Sequence, residues 1–472
     1  MANAGWRAAL SMGEERRHFH FIGICGTAMG AVAAALQRRG NSVSGSDANV
    51  YPPMSSFLEA EGIPVTEGFR AGNIPAETGV VVIGNAISRG NEEAETVLDR
   101  KLLYLSLPEV LKQEFLRGRR NLVVTGTHGK TTTASLLAWL LECGGRRPGF
   151  LIGGIPRNFH CGARFENSDW VVLEGDEYDC AFFDKRSKFL HYLPEVVIVN
   201  NIEFDHADIY GSLEEIALSF RRLLNVVPRN GMIFVNGDDP VCLEAAAGAP
   251  APVRRVGLSP DCEGRIEDLE LEAEQVRFRI GGEDYTVPLG GEFNARNAAM
   301  SICAARHVGV SPQEIREGLP RFLGVARRQE LRGERRGVRV IDDFGHHPTA
   351  IRETLLAMRR RYPQGKLWAL FEPRSNSSQR RVFQEQFTAA FREADAVVLT
   401  GLHRPERIAE GERLDVERIV ADLCAAGREA WLEAGADAIV SRLAPLAQSG
   451  DTIVVFSNGG FEGIHGKLLE RL

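Results

Sequence analysis

The stretch "GTHGKTT", residues 126–132, has the residue types needed to hold the phosphates of a nucleotide. It follows the apolar run "NLVV" and opens an alanine- and leucine-rich segment, which places it at a strand-to-helix turn. The usual phosphate loop reads G-x-x-x-x-G-K-[ST], and here Val124 stands where the first glycine is expected. The functional end is intact. Gly129 permits the tight turn, Lys130 can reach β- and γ-phosphates, Thr131 can ligate Mg²⁺ and Thr132 can donate to a phosphate. Gly126, Thr127 and His128 form the shortened loop ahead of them. An anion nest needs consecutive free N–H groups more than a glycine at its start, so ATP is the expected ligand.

A magnesium nucleotide needs carboxylates nearby, few in number because the ion keeps several waters. "VVLEGDEYD" supplies Glu174, Asp176 and Glu177 at the end of an apolar strand, where α/β proteins bind ligands. "NNIEFDHADIY" ends another such strand with His206 beside Asp205 and Asp208. A lone histidine is usually a surface or core residue. Flanked by acids, its metal or phosphate role stands level with that reading. A second glycine loop, "GICGTAMG", sets Gly23, Gly26 and Gly30 between a strand and a helix. It departs from the dinucleotide fingerprint G-x-G-x-x-G. Asp47 follows about 20 residues on and could accept from a ribose hydroxyl. A tight turn without ligand accounts for the glycines alone; glycines and acid together favour a diphosphate nucleotide.

The elements that must position these residues alternate strand and helix, the rhythm of parallel sheets. Residues 1–17 read as a flexible extension, without the apolar core of a leader. Residues 18–117 form a first α/β domain, 118–323 a second and 324–472 a third. Within the second, "QVRFRIGGEDYTVPLGG" alternates with period two around Gly-Gly, the sign of a small antiparallel insert. Length fits this division: 472 residues suit about three domains. A net charge of -7 disfavours nucleic acid as a partner. Apolar runs fall short of the roughly 20 residues that cross a bilayer. The eight cysteines lack C-x-x-C spacing, as expected of reduced thiols in a cytoplasm.

Two phosphate loops of this form, about 100 residues apart, resemble the Mur ligases of bacterial cell-wall synthesis. "GICGTAMG", "GTHGKTTT", "EGDEYD", "NNIEFDHAD", "NARNA", "RRQE" and "DDFGHHPTAI" carry the resemblance in order from His18 onward. It implies a three-domain α/β architecture. The N-terminal domain would be Rossmann-like and bind a UDP-sugar through Gly23, Gly26, Gly30 and Asp47. The central domain would be a P-loop ATPase, and the C-terminal domain, again Rossmann-like, would receive the incoming amine.

The activity implied is ATP-dependent amide-bond formation through an acyl phosphate. Lys130 would bridge phosphates, Thr131 would hold one Mg²⁺, and Glu174 with His206 a second. Asn294 and Asn297 would contact adenine, and Arg328 and Asp343 would complete the ATP site from the third domain. His346 and His347 would lie near the reaction centre without an assigned proton role. The stretches "PGFLIGGIPRNF", "FEPRSNSS" and "VVFSNGGFEGIHGKLL" resemble the branch that joins an intact tripeptide, L-Ala-γ-D-Glu-meso-diaminopimelate, to UDP-N-acetylmuramate in peptidoglycan recycling. That tripeptide carries several carboxylates; by position and residue type Arg374 is the natural bidentate partner for one, with Ser375 and Asn376 adding hydrogen bonds.

The sequence also departs from the family pattern. Phe293 stands where a histidine is frequent and Gly175 where alanine is common, and the carbamylated lysine of some members has no clear counterpart. Addition of L-alanine in place of the tripeptide is the alternative acceptor reading. From other classes, an NAD oxidoreductase leaves "GTHGKTTT" unexplained, and a non-catalytic nucleotide-binding regulator leaves the full set of Lys130, Thr131, Glu174 and His206 without purpose. No membrane and no obligate protein partner are expected.

Overall fold

The central strands of this chain are short runs of branched and aromatic residues buried on both faces, the signature of parallel sheets covered by helices. The computed structural model describes residues 16–165 and 167–472, so most of the extension read at 1–17 lies outside the described residues.

The N-terminal unit centres on five parallel strands. Their spatial order is Val65–Glu67, Ser42–Asp47, His18–Ile22, Val80–Ile83 and Tyr104–Ser106. Phe19 pairs with Val43 on one side and Val80 on the other. Residues 178–193 belong to this same unit although they follow the acid cluster in sequence. A short hairpin there, Asp179–Ala181 with Asp184–Ser187, brings Phe183 edge-on to Tyr104 at 4.8 Å between centroids. The domain division read at residue 118 does not anticipate this excursion.

In the second unit, an eight-stranded sheet runs in the order 264–265, 253–257, 232–236, 194–199, 120–125, 170–174, 149–151, 163–164. Only the last of these pairs is antiparallel. The Lys130–Cys143 and Glu292–His307 helices pack on it, and Leu136, Leu140, Ala298 and Ile302 are solvent-free in the shared core. The expected antiparallel insert is present as three strands, with Phe278 opposite Tyr285. Its turn is Gly281-Gly282 at φ 59° and 80°, the pair of left-handed residues a two-residue hairpin needs.

The C-terminal sheet of the same unit has six strands in the order 330–335, 338–343, 452–456, 367–371, 396–400, 429–433. The first is antiparallel to its neighbour and the others are parallel. "TIVVF", "LWALF" and "AVVLT" are buried at every position, as central parallel strands must be. Three α/β domains with a small antiparallel insert therefore match the expected fold class. Among the described residues no helix is long and apolar enough to cross a membrane, and no disulfide joins the eight cysteines.

Candidate active site

Three neighbouring strands of the central sheet end side by side. Arg120–Thr125 lies between Trp170–Glu174 and Pro194–Val199. The phosphate loop, the acid cluster and the His206 segment each follow one of these carboxyl ends, so the fold collects them at the place where parallel sheets bind ligands.

Gly129 caps the Lys130–Cys143 helix at φ 77°, ψ -7°, in the left-handed region that favours glycine. The first-turn amides of that helix, from Lys130 to Thr132, have no partner within the helix and carry its positive dipole end. Ahead of them the loop is spoken for. Thr127 N donates to Asn201 O at 3.0 Å and His128 N to Asn201 Oδ1 at 2.7 Å. The nest expected over 126–132 thus begins at the cap.

Lys130 Nζ donates to both carboxylate oxygens of Glu177, at 3.0 and 2.9 Å. His206 Nε2 lies 2.8 Å from Glu177 Oε1. Burial works against every charge in this group. Even so, Glu177 and Asp176 lift the Lys130 ammonium, Glu177 lifts the His206 imidazolium, and the two cations hold the Glu177 carboxyl below its ordinary range. The ligand-bearing atoms of Asp176, Glu177 and His206 fall within 4.8 Å of one another.

Glu174, expected to share an ion with His206, is bonded elsewhere. It accepts from Thr131 Oγ1 at 2.9 Å and from Gly153 N at 2.7 Å. The carboxylates therefore form two groups, Thr131 with Glu174 and Asp176–Glu177 with His206. The hydroxyl and carboxylate oxygens of these groups fit magnesium and its waters.

The C-terminal domain reaches the same place. Arg328 Nη2 donates to Thr131 Oγ1 at 3.2 Å, and its guanidinium lies over the Phe344 ring at 5.0 Å. Asp343 is buried and accepts from Gln329 N at 2.9 Å and Gly345 N at 2.7 Å. Burial raises its pKa, opposed by Arg328. A cavity of about 700 Å³ opens between these groups, lined by Gly129, Thr131, Thr132 and Arg328 at one part and by Phe293, Asn294, Asn297 and Met300 at another. Asn294 donates to Gly290 O at 2.8 Å and accepts from Asn297 Nδ2 at 3.2 Å, which fixes both amide planes at the wall. Arg296 and Asp238, paired at 3.1 Å, line the same cavity and carry no local sequence signal.

His347 is buried and His346 partly so, and both lie below the ordinary imidazole range because burial disfavours charge. His347 falls to about 3. Its Nε2 lies 3.1 Å from Phe204 O, and its Nδ1 accepts from Thr349 N at 3.3 Å, so the ring is a neutral N-cap. An unfolded histidine binds a proton near pH 6.5, while this one binds it only near 3. The stability it contributes is complete above pH 6.5 and is lost as pH falls below that. His347→Asn keeps a capping oxygen and removes the titration. Chemical denaturation between pH 6.5 and 5 should show a pH slope shallower by up to about 1.4 kcal/mol per pH unit.

In the N-terminal unit the glycine loop is tied to the next strand by Gly23 N donating to Ser46 O at 2.8 Å. Asp47, expected to accept from a ribose, uses Oδ2 for Cys25 N at 2.9 Å and Oδ1 for Asn49 N at 3.0 Å. Each oxygen retains a second lone pair, so Asp47 shapes the loop and can still accept. Gly26 lies at the N-cap of the Thr27–Arg38 helix. A Cβ on Gly30 would come within 2.3 Å of Met54 Cε, so this glycine serves helix packing. Cys180, Asp184 and His191 also converge here, a group without sequence warning. Arg186 takes both Asp184 oxygens at 2.9 and 2.8 Å and holds that carboxyl down to about 2, the pattern of a structural ion pair.

At the C-terminal sheet, "FEPRSNSS" follows the carboxyl end of Leu367–Phe371. Arg374 is about two-fifths exposed, its stem crossing Gly459, where a Cβ would come within 2.5 Å of Arg374 Cδ. Ser375 Oγ accepts from Ser378 N at 3.0 Å, and Asn376 Nδ2 donates to Asp208 Oδ2 at 2.8 Å. Ser375 and Asn376 thus carry protein contacts that sequence reading did not foresee.

What fold and site define is a class: three-domain, ATP-dependent ligases that form amide bonds. Comparison with known proteins makes this specific. Models of the Mur ligase family catalytic domain, middle domain and glutamate ligase domain match residues 18–119, 124–305 and 327–459. The chain belongs to the Mur ligase family. It is 43% identical over 459 residues to the UDP-N-acetylmuramate–L-alanyl-γ-D-glutamyl-meso-2,6-diaminoheptandioate ligase of Escherichia coli K12, covering 96% of this chain and 98% of that one. A murein peptide ligase of Psychrobacter arcticus 273-4, known as a crystal structure, superposes with a TM-score of 0.72 at 34% identity, covering 96% and 98%. A UDP-N-acetylmuramate–L-alanine ligase of Bradyrhizobium sp. BTAi1 is 34% identical, covering 93% and 94%.

Proposed function

We propose that this chain joins the tripeptide L-alanyl-γ-D-glutamyl-meso-diaminopimelate to UDP-N-acetylmuramate, consuming ATP. The observation that carries the reading is full-length identity of 43% to a ligase of that name, against 34% to one that takes L-alanine. The reaction would reuse an intact peptide.

The chemistry accounts for the residues gathered at the strand ends. A carboxylate resists attack by an amine until its oxygen becomes a good leaving group. Transfer of the γ-phosphoryl to the muramyl carboxylate makes an acyl phosphate. The tripeptide amine then adds to the carbonyl, the tetrahedral species collapses, and amide and phosphate leave. Such catalysis is largely positioning and neutralisation of charge.

Lys130 and the Lys130–Thr132 amides hold the phosphates in this reading, and Arg328 adds a cation from the third domain. Asn294, Asn297 and Phe293 take the base. Thr131, Glu174 and His206 would hold Mg²⁺, with Glu177 beside His206, and the ion would supply charge neutralisation at the phosphoryl oxygens. Gly23, Gly26 and Asp47 shape the loop that receives the UDP diphosphate. Water is kept from the acyl phosphate by the walls of the cavity.

The test is phosphate release from ATP, Mg²⁺ and UDP-N-acetylmuramate in paired reactions, one with tripeptide and one with L-alanine. Release with tripeptide and a product of matching mass is expected. Release with L-alanine alone would replace the acceptor assignment.

Arg374, the cation of "FEPRSNSS" and 3.5 Å from Glu372 of the same segment, would pair with a tripeptide carboxylate. Arg374→Ala should raise KM for tripeptide by about tenfold or more while leaving KM for ATP within twofold, a charged hydrogen bond contributing roughly 1.5–3 kcal/mol. An unchanged tripeptide KM would remove Arg374 from the acceptor site.

A further inference from the structure

The segment 203–208 leaves the central sheet carrying His206, and the C-terminal domain grips it repeatedly. Thr349 Oγ1 donates to Glu203 Oε2 at 2.6 Å. The His347 Nε2 faces Phe204 O at 3.1 Å, and the Phe204 ring stacks on Phe383 at 5.9 Å between centroids. Asn376 holds Asp208. His206 itself lies at φ 52°, a left-handed conformation that a non-glycine residue keeps only when its surroundings impose it.

Glu203 is where this grip meets the phosphate loop. Its backbone N donates to Thr127 Oγ1 at 2.8 Å, and its backbone O accepts from the same hydroxyl at 3.2 Å. Its carboxylate Oε2 stands 3.4 Å from His128 Nε2 and 3.8 Å from His347 Nδ1. The His128 and His347 rings lie 4.3 Å apart, one from the loop and one from the C-terminal domain. A single residue therefore bonds the loop through its main chain, faces the loop's His128 with its carboxylate, and binds the other domain through Thr349. The carboxylate is held down to about 2 against burial by His128 and Thr349, so it is charged throughout the working pH range.

We propose that Glu203 is a positioning residue that locks the phosphate loop to the C-terminal domain through Thr349, so that the loop reaches its phosphate-binding geometry only when that domain is seated. This rests on the nucleotide assignment of the loop and goes beyond it, because it makes loop geometry depend on a residue from the acceptor domain. Neither Glu203 nor Thr349 belongs to a recognisable phosphate motif. Their partnership spans 146 positions of sequence.

The test is a double-mutant cycle on the full chain with Glu203→Ala, Thr349→Val and the pair. It reads the dissociation constant of Mg-ADP and the kcat of tripeptide-dependent phosphate release. Each single variant should weaken ADP and lower kcat by about tenfold, and up to about 100-fold for kcat where the loop shifts by an ångström. The double variant should be no worse than the poorer single, because both break one link. Glu203→Gln, which keeps an acceptor for Thr349, should recover to within about threefold of wild type, which a general loss of packing does not explain.

Multiplying effects in the cycle, or wild-type behaviour of Thr349→Val, would overturn the proposal. Thr349→Val loses only a hydroxyl, so it decides the matter even if Glu203→Ala fails to fold. Wild-type silence with tripeptide would defeat the acceptor reading, while the ADP cycle would still decide the link.

Discussion

Lys130→Ala should lower tripeptide-dependent phosphate release by about 10³-fold in kcat, the scale of removing a preorganised charge from a phosphoryl-transfer site. Lys130 is partly buried beside the fully buried Glu177, which it meets through both carboxylate oxygens. The backbone N–H groups of Thr127 and His128 in the same loop are taken by Asn201. The substitution also strands a buried carboxylate, a loss of about 3–5 kcal/mol in comparable pairs. Lys130→Ala with Glu177→Gln should regain much of that stability and none of the activity. Thermal melts and single-turnover assays on the two variants separate the effects. Activity above about a tenth of wild type in either would remove Lys130 from phosphoryl transfer.

Gly129→Ala should be nearly as damaging, by a different route. A Cβ there would stand 2.5 Å from Asn297 Oδ1 and 3.1 Å from Asn200 Nδ2, on a residue held at φ 77°. The left-handed conformation alone costs a non-glycine residue about 1–2 kcal/mol. The clash pushes the helix start away from Asn297, displacing the amides of Lys130 and Thr131 together with the adenine wall. ATP affinity should fall about 100-fold or more. Gly145→Ala is the control. It has φ 71° and nothing within 4 Å of the added methyl group. It should lose similar stability from the backbone and leave KM for ATP unchanged. If the two variants bind ATP alike, the close approach of Gly129 to Asn297 is without consequence.

Much of the site was legible because its parts are local. A phosphate loop is a strand, a turn and a helix start within about a dozen residues, so "GTHGKTTT" could be read despite Val124. Acids at the ends of apolar runs pointed to the strand termini for the same reason. Which group meets which is a tertiary matter that no local pattern announces. Glu174 accepts from Thr131, and Glu177 faces His206. Asn376 looked like a ligand group from its position, yet its amide bonds Asp208 in a segment 168 positions away. Glu203 carries no local signal, because its side-chain partners Thr349 and His128 are distant in sequence. The antiparallel insert was visible in its period and its Gly-Gly turn. The hairpin at 178–193 was not, since its local pattern does not say which sheet it will join.

That hairpin bears on inheritance and engineering. The chain passes between its two compact units at 119–120, again at 177–178 and a third time at 193–194. A graft of the N-terminal domain from a relative, joined by one crossover near residue 119, would import a five-stranded sheet whose Phe183 partner still came from the recipient. Two genes recombining once would produce mismatched aromatic contacts at Tyr104. A clean exchange needs the 178–193 insert to travel too, which makes modular reshuffling of this enzyme a three-junction event.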